Sequence, residues 1–575
     1  MLQSLKKYTN KIVLAISFKS VEAIIDLILP LVMAGIIDKG VMSGDLNYII
    51  KQGTLMIIIS TIGYASSIAC NFFSVSSSQQ FGEDLRNRLF SKIQTLSIDQ
   101  LNNFNQSSLL TRVSKDVTQV VMMTMMSMRM VLRGLVTGVG SVIFSFMISP
   151  KLALILLFIV PITIWTTYYY MKKSVPLYSS IQKKLDNLTL ILRENFLGIR
   201  VIKALSKELI EEDRFEVKNK KLSEKIVKAD NTMDSKTPFI GLLINLGIVF
   251  ILFSGIKEVN LGSVKPGEIL AIINYLGMLL FSVNTLSFLF SMSSKTIISS
   301  KRINEILKQD SETYIKSSNL NSETDYILEF KNVNFTYNDH LPLTLKNINF
   351  SIKKKEKIAI VGSTGSGKTT LINLILRFYD ATSGEIFFDG KNIKNYPLEI
   401  LRNEIGIVSQ KSFLFSQSIE ENMRWVNPDA TIEEIKESIR IAQGTEFVEK
   451  LPNAYQTIIS KSGNNFSGGQ KQRLSIARTI LKNSKLYIFD DSFSALDFIT
   501  ESKLKKMLNE KLKNNTIIII SQRIISVMNS DKIIVMDNGE IVGFGTHSFL
   551  LTTCPIYIEI CKSQGIENGG DEIER

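Results

Sequence analysis

Between positions 362 and 369 the chain reads Gly362-Ser363-Thr364-Gly365-Ser366-Gly367-Lys368-Thr369, residue types and spacing suited to holding the phosphates of a nucleotide. The glycines let the backbone curl so that successive N–H groups face an anion. Lys368 can reach the outer phosphates, and the Thr369 hydroxyl can coordinate Mg2+. A second run, Lys485-Leu486-Tyr487-Ile488-Phe489, ends in Asp490-Asp491 and so sets a carboxylate where magnesium would lie beside that loop. Between them stands Asn465-Phe466-Ser467-Gly468-Gly469-Gln470, ahead of a helical run through Leu481. A serine and two glycines at a helix amino terminus form another phosphate cradle, and two cradles in one small domain imply nucleotide shared between domains.

These groups need a scaffold that brings them to one edge. Lys357 to Val361 reads as a short apolar strand and Leu371 to Phe378 as a helix, the strand-loop-helix setting a phosphate loop requires. Beyond residue 325 short β-rich runs alternate with helices, which predicts an α/β P-loop nucleotide-binding domain over 326–563 followed by a polar tail at 564–575.

The first three hundred residues are built differently. Long uncharged runs recur at about 12–37, 54–71, 128–148, 152–171, 239–255 and 269–292, each long enough to cross a hydrocarbon layer of ~30 Å. They predict a six-span membrane domain over 1–310, a linker at 311–325, and charged amphipathic helices projecting into the cytoplasm after the second and fourth spans. The net charge of +13 is explained by Lys and Arg flanking the spans on one side, which places both termini in the cytoplasm. No nucleic-acid partner is required; membrane lipid is the expected surrounding. The three cysteines, Cys70, Cys554 and Cys561, match neither a disulfide framework nor a zinc site.

Taken together, these motifs resemble the ATP-binding-cassette exporters over nearly the whole chain. Phe466-Ser467-Gly468-Gly469-Gln470 matches the family's signature motif with Phe for the usual Leu; Ser494-Ala495-Leu496-Asp497 matches its D-loop. The resemblance implies that ATP and Mg2+ are the cofactors, that Tyr337 stacks on adenine, and that Gly362 and Thr364 through Thr370 surround the phosphates. It also implies that Gln410 joins Asp490 and Thr369 around magnesium. Leu109 to Val117 resembles the region around the first coupling helix, and Glu194 to Phe215 the stretch before the second.

Two positions in this chain's own ATP site depart from the family pattern. Asp491 stands where glutamate, the base for the attacking water, is usual, and Gln522 where the switch strand carries histidine. Withdrawing a carboxylate by one C–C bond, ~1.5 Å, costs roughly a hundredfold where positioning is strict. Glutamine can hydrogen-bond a phosphate but cannot pass a proton as imidazole does. Lys461 also replaces a glutamate near the signature. With the signature nearly intact, the expectation is one subunit of a heterodimeric exporter in the plasma membrane. Its own site would hold ATP and hydrolyse it slowly, while Ser467 to Gly469 complete the active site of a second half-transporter. The alternatives are a homodimeric lipid or peptide exporter, or an ATP-gated channel or regulator. Glu22 and Asp26, four residues apart in the first span, either face a cavity for an amphiphilic or cationic small-molecule substrate or form a structural pair with Lys19.

Overall fold

The computed structural model describes residues 5–310, 324–338 and 340–566. By packing, the chain divides into two units. The first comprises Met1–Thr95 and Phe104–Asp310; the second comprises Leu96–Asn103 and the chain beyond Asp310. Within the expected linker, 311–323 lies outside the described residues, and so does 567–575 of the expected tail.

Among the described residues, the first unit contains six helices long and apolar enough to span a membrane: α1 (Lys6–Val41), α2 (Leu46–Gln94), α3 (Gln106–Ile148), α4 (Pro150–Leu197), α5 (Glu208–Asn260) and α6 (Pro266–Leu307). Each expected apolar segment lies inside one of them, but the helices run much further. At 1.5 Å per residue, the 49 residues of α2 extend over ~70 Å, more than twice the hydrocarbon thickness. The charged stretches that follow the apolar runs are rich in helix formers, and α4 continues even through Pro176.

Close approach between these helices rests on small residues. A Cβ on Gly140 would meet Leu27 at 2.2 Å, and one on Gly247 would meet Ile159 at 2.4 Å. Tyr275, fully buried, donates its hydroxyl to the Leu27 carbonyl at 2.6 Å. Towards the charged end, Arg112 of α3 meets Glu305 of α6 at 2.7 Å, and Arg302 meets Asp116 at 2.6 Å. The residues read in the sequence as surrounding a coupling helix therefore fasten α3 to α6. On the other long insertion, Gly198 ends α4, and Arg214 meets Glu194 at 3.1 Å.

Among the described residues of the second unit, ten strands form two sheets. An antiparallel sheet is ordered β2-β1-β4-β5, from β1 (Tyr326–Phe335), β2 (Leu345–Lys353), β4 (Ser383–Phe388) and β5 (Lys391–Asn392). The other is ordered β10-β9-β3-β8-β7-β6, from β3 (Lys357–Gly362), β6 (Ile405–Val408), β7 (Leu486–Asp490), β8 (Thr516–Ile520), β9 (Lys532–Asp537) and β10 (Glu540–Gly545). Its strands β9, β3, β8, β7 and β6 are parallel. They read as unbroken apolar runs, as strands covered on both faces do. In register, Ile360 pairs with Ile520 and Ile520 with Asp490, so the carboxyl ends of β3, β8 and β7 come out at one edge.

The helices used below are α7 (Lys368–Ile375), α8 (Ile419–Arg424), α9 (Ile432–Ile441), α10 (Gly468–Ile480), α11 (Phe498–Lys511), α12 (His547–Thr553) and α13 (Pro555–Ser563). Helices α8, α9 and α10 bring Ile419, Met423, Ile435, Ile439 and Leu474 into one buried cluster, the helical subdomain beside the sheet.

Candidate functional site

The phosphate loop leaves β3 at Gly362 and enters α7 at Lys368. Its glycines are required by geometry. Gly362 sits at φ +154 with its Cβ position 2.2 Å from the Met536 carbonyl oxygen, and Gly367 sits at φ +103 as the N-cap of α7. Any side chain at Gly362 would collide with the β9 backbone. Lys368 folds its ammonium onto the loop, donating to the carbonyls of Gly362 at 2.9 Å and Ser363 at 2.6 Å and to Ser366 Oγ at 3.3 Å. Burial lowers the Lys368 pKa, opposed by the charges of Asp490 and Asp491. A phosphate offered to this loop meets an ammonium that exchanges carbonyls for a charged oxygen, the stronger partner.

Asp490 closes β7, and its carboxyl is pushed up by burial first and by Asp491 second, with Lys368 pulling it back. Thr369, Gln410 and Asp490 supply a hydroxyl, an amide oxygen and a carboxylate, hard donors of the kind Mg2+ prefers. Among the described residues no group of three or more His, Cys, Asp or Glu forms a metal cage.

Asp491 lies one residue past the strand with its backbone at φ +46, a conformation disfavoured for a residue with a Cβ. The surroundings hold it there. Its N–H donates to the Ile520 carbonyl at 2.9 Å, its carbonyl accepts from Ser494 Oγ at 2.9 Å, and its carboxylate accepts from Gln410 Nε2 at 3.3 Å. Gln522 stands two residues beyond β8 with its side chain exposed.

Tyr337 is held at its edge. Its hydroxyl lies 3.1 Å from Thr370 Oγ1 and accepts from Asn373 Nδ2 at 3.3 Å, while Phe335 and Tyr379 meet its ring edge to face at 4.9 and 5.0 Å. Asn102, from the short helix Ile98–Asn102, donates to the Tyr379 hydroxyl at 2.6 Å. The sequence reading missed Tyr379, Asn373 and the 98–102 helix. Its capping box, Ser97 with Gln100, was the available signal, lying upstream of the 109–117 stretch.

The signature residues open α10. Ser467 accepts from the Gln470 N–H at 3.2 Å, and the Gln470 side chain accepts from the Ser467 N–H at 2.9 Å, a reciprocal cap. Phe466 is buried and meets Phe447 edge to face, so the aromatic in place of leucine is absorbed by the helical subdomain. A Cβ on Gly469 would lie 3.0 Å from the Ala495 carbonyl oxygen, which fixes the cradle against the Ser494 to Asp497 turn. Leu496 is buried, and Asp497 caps α11 by accepting from the Thr500 N–H at 2.9 Å.

In the first unit, Glu22 is buried and ion-paired with Lys19 at 2.7 Å and with Arg133 at 3.5 Å; Arg133 also meets Asp26 at 3.0 Å. Asp26, Arg133, Asn274 and Phe281 border a cavity of about 370 Å³. Glu22 thus lies against Lys19, and Asp26 borders the cavity while engaged by Arg133.

Comparison with known proteins agrees with this architecture. Residues 12–283 match the ABC transporter transmembrane region and residues 345–494 the ABC transporter nucleotide domain. A Bacillus subtilis (strain 168) ABC transporter ATP-binding protein, itself uncharacterized, is 37% identical over 570 residues, 99% of both chains. A Staphylococcus aureus (strain bovine RF122 / ET3-1) protein named for multidrug export is 31% identical over 98% of this chain and 99% of its own. An ATP-dependent lipid A-core flippase of Syntrophus aciditrophicus (strain SB) is 31% identical over 92% of this chain and 86% of its own. The fold matches that of a bacterial Atm1-family ABC exporter with ATP bound, with a TM-score of 0.81 over 98% of this chain and 99% of that one, at 22% identity. The chain therefore belongs to the ABC transporters, as an exporter-type half-transporter in which a multi-pass membrane domain is fused to one cytoplasmic ATP-binding domain that couples hydrolysis to transport.

Proposed function

We propose that this chain is the weakly hydrolysing half of a heterodimeric ATP-driven exporter of amphiphilic small molecules. The observation that carries the reading is Asp491. The shortened carboxylate is turned into an unfavourable backbone conformation and occupied by Gln410, a poor arrangement for taking a proton from water. Gln522 adds no proton acceptor of its own. Both groups still accept or donate hydrogen bonds, so ATP is retained at this site through Tyr337, the 362–370 loop and Asp490. Thr369, Gln410 and Asp490 would hold magnesium, which would supply neutralisation of the phosphate charge.

The signature segment supports the other half of the proposal. Ser467, Gly468 and Gly469 stand ready at the amino terminus of α10, and in this reading they cover the phosphates of a partner half-transporter that carries the missing glutamate and histidine. ATP then acts as a ligand with higher affinity for the closed pair, and hydrolysis at the partner's site permits reopening.

For cargo, Glu22 and Asp26 offer no free negative charge, because Lys19 and Arg133 already oppose them. The cavity at Asp26 is mixed polar and aromatic, which favours an amphiphile over a simple cation; the relatives named for multidrug export and for lipid A-core flipping are in keeping with that class. The test is ATP-dependent accumulation of a fluorescent amphiphile in inverted membrane vesicles containing this chain with and without the half-transporter of its adjacent reading frame. Accumulation only with both supports the proposal. Equal accumulation with this chain alone refutes the heterodimer, and conductance without accumulation refutes the pump.

A further inference from the structure

We infer that Gln564 is a positioning residue for the switch segment, holding the backbone that presents Gln522. The inference rests on the reading that Gln522 faces the terminal phosphate. Strand β8 ends at Ile520, and the last contact with β3 is the Ser521 N–H, which donates to the Ile360 carbonyl at 3.3 Å. Two backbone groups of the segment are taken instead by one side chain. Gln564 Nε2 donates to the Gln522 carbonyl at 2.6 Å, and Gln564 Oε1 accepts from the Ile524 N–H at 2.8 Å. Both ends of the amide are used, so the glutamine replaces a neighbouring strand over two residues.

A surface glutamine ordinarily has several rotamers open to it, and the value of this contact depends on how firmly its backbone is seated. Here the seat is rigid. Tyr557 and Cys561 of α13 are buried in one apolar cluster with Ile524 and Val527, so the helix and the switch segment share a core. After Ser563 the helix closes in a Schellman arrangement: Ile566 N–H donates to the Cys561 carbonyl at 3.0 Å, and Gly565 N–H donates to the Lys562 carbonyl at 3.1 Å. Gly565 lies at φ +70, which a glycine adopts without strain, and Ile566 turns back onto the same cluster. Gln564 is the residue between helix and glycine, so its side chain is aimed at the switch by a cap that cannot swing.

The consequence is specific. Release of Gln564 frees the Gln522 carbonyl and the Ile524 N–H while leaving the buried anchors Ile524 and Val527 in place. The switch residue then loses its orientation without loss of the fold, and the C-terminal helix becomes part of the machinery that senses nucleotide. Length and both functional atoms matter: asparagine is one methylene short, and glutamate keeps the acceptor but opposes the Gln522 carbonyl with a carboxylate oxygen.

The test uses the full chain in lipid nanodiscs with Mg2+-AMP-PNP as probe. Three variants are compared with the parent: Gln564→Ala, Gln564→Glu and Gln522→Ala. Affinity for the probe, melting temperature without nucleotide, and hydrogen exchange across 516–530 are measured. The expected result is a roughly tenfold loss of affinity in both Gln564 variants, matching the loss in Gln522→Ala. Exchange near Ile524 should rise at least tenfold in Gln564→Ala but less in Gln564→Glu, which retains the acceptor, and melting temperature should be nearly unchanged. If Gln522→Ala weakens binding and Gln564→Ala does not, positioning by Gln564 is refuted while the role of Gln522 stands. If neither weakens binding, the contact between Gln522 and phosphate is refuted, and the positioning role falls with it. A large fall in melting temperature with unchanged affinity in the parent-like fraction assigns Gln564 a purely structural role and overturns the inference.

Discussion

Gln410 donates its side-chain amide to the Asp491 carboxylate across 3.3 Å, joining a residue two past β6 to the residue after β7. The Asp491 carboxylate is one bond shorter than the family's glutamate. Restoring the longer acid alone leaves the switch glutamine unable to assist. In the purified pair, Asp491→Glu combined with Gln522→His is expected to raise hydrolysis at this chain's site by about a hundredfold, read as single-turnover release of phosphate. Asp491→Asn is expected to change total turnover less than twofold. A large loss with Asp491→Asn contradicts the assignment of turnover to the other site.

Ser467 has two partners in this account, its own helix and a nucleotide held by another subunit. Loss of the N-cap hydroxyl costs about 1 kcal/mol of local stability. The functional cost is expected to be larger and to appear in the partner's site. Ser467→Ala should lower ATP turnover of the pair by at least tenfold while leaving probe affinity at the 362–370 loop unchanged. Equal loss at both sites would place Ser467 in folding only.

Lys19 and Glu22 form an ion pair that is nearly sealed from solvent, one turn apart on α1. Removing one partner strands a charge; removing both does not. Lys19→Met should destabilise the membrane unit by about 3 kcal/mol or more, and Lys19→Met with Glu22→Leu should recover most of it, measured by thermal melting in detergent. A double variant no better than the single one would mean that Arg133 already satisfies Glu22.

His547 opens α12 with Nδ1 2.7 Å from the Tyr557 hydroxyl and Nε2 buried without a hydrogen-bond partner. Burial lowers its pKa below the usual 6.5. The unfolded chain therefore takes up a proton first as pH falls, and stability is lost from about 6.5 down to the lowered value. Asp490, raised by burial, acts in the opposite sense at more acid pH. His547→Gln should flatten the melting temperature between pH 6.5 and 5.5. An unchanged slope would assign it to other groups.

What could be read from the chain was what is local. The phosphate loop, its strand and its helix are contiguous, so residue types alone define them, and the apolar runs announce six spans. Helix ends were harder, because the stretch from Glu83 to Lys92 is charged yet strongly helix-forming and simply continues α2. Pairs distant in sequence were out of reach. Nothing near Asp491 indicates Gln410, nothing near Glu22 or Asp26 indicates Arg133, and the clamp of Gln564 on the switch segment joins residues 40 and 42 positions apart. The segment Leu96–Asn103 carries little apolar signal in sequence, and it packs with the second unit, where Asn102 meets Tyr379.

The most direct measurement is the steady-state ATPase rate of the full-length chain purified alone into nanodiscs, set beside its Asp491→Glu/Gln522→His counterpart. The account requires the parent to bind ATP and run at least about a hundredfold slower than the restored variant. A parent chain that pairs with itself and matches the restored variant's rate contradicts it.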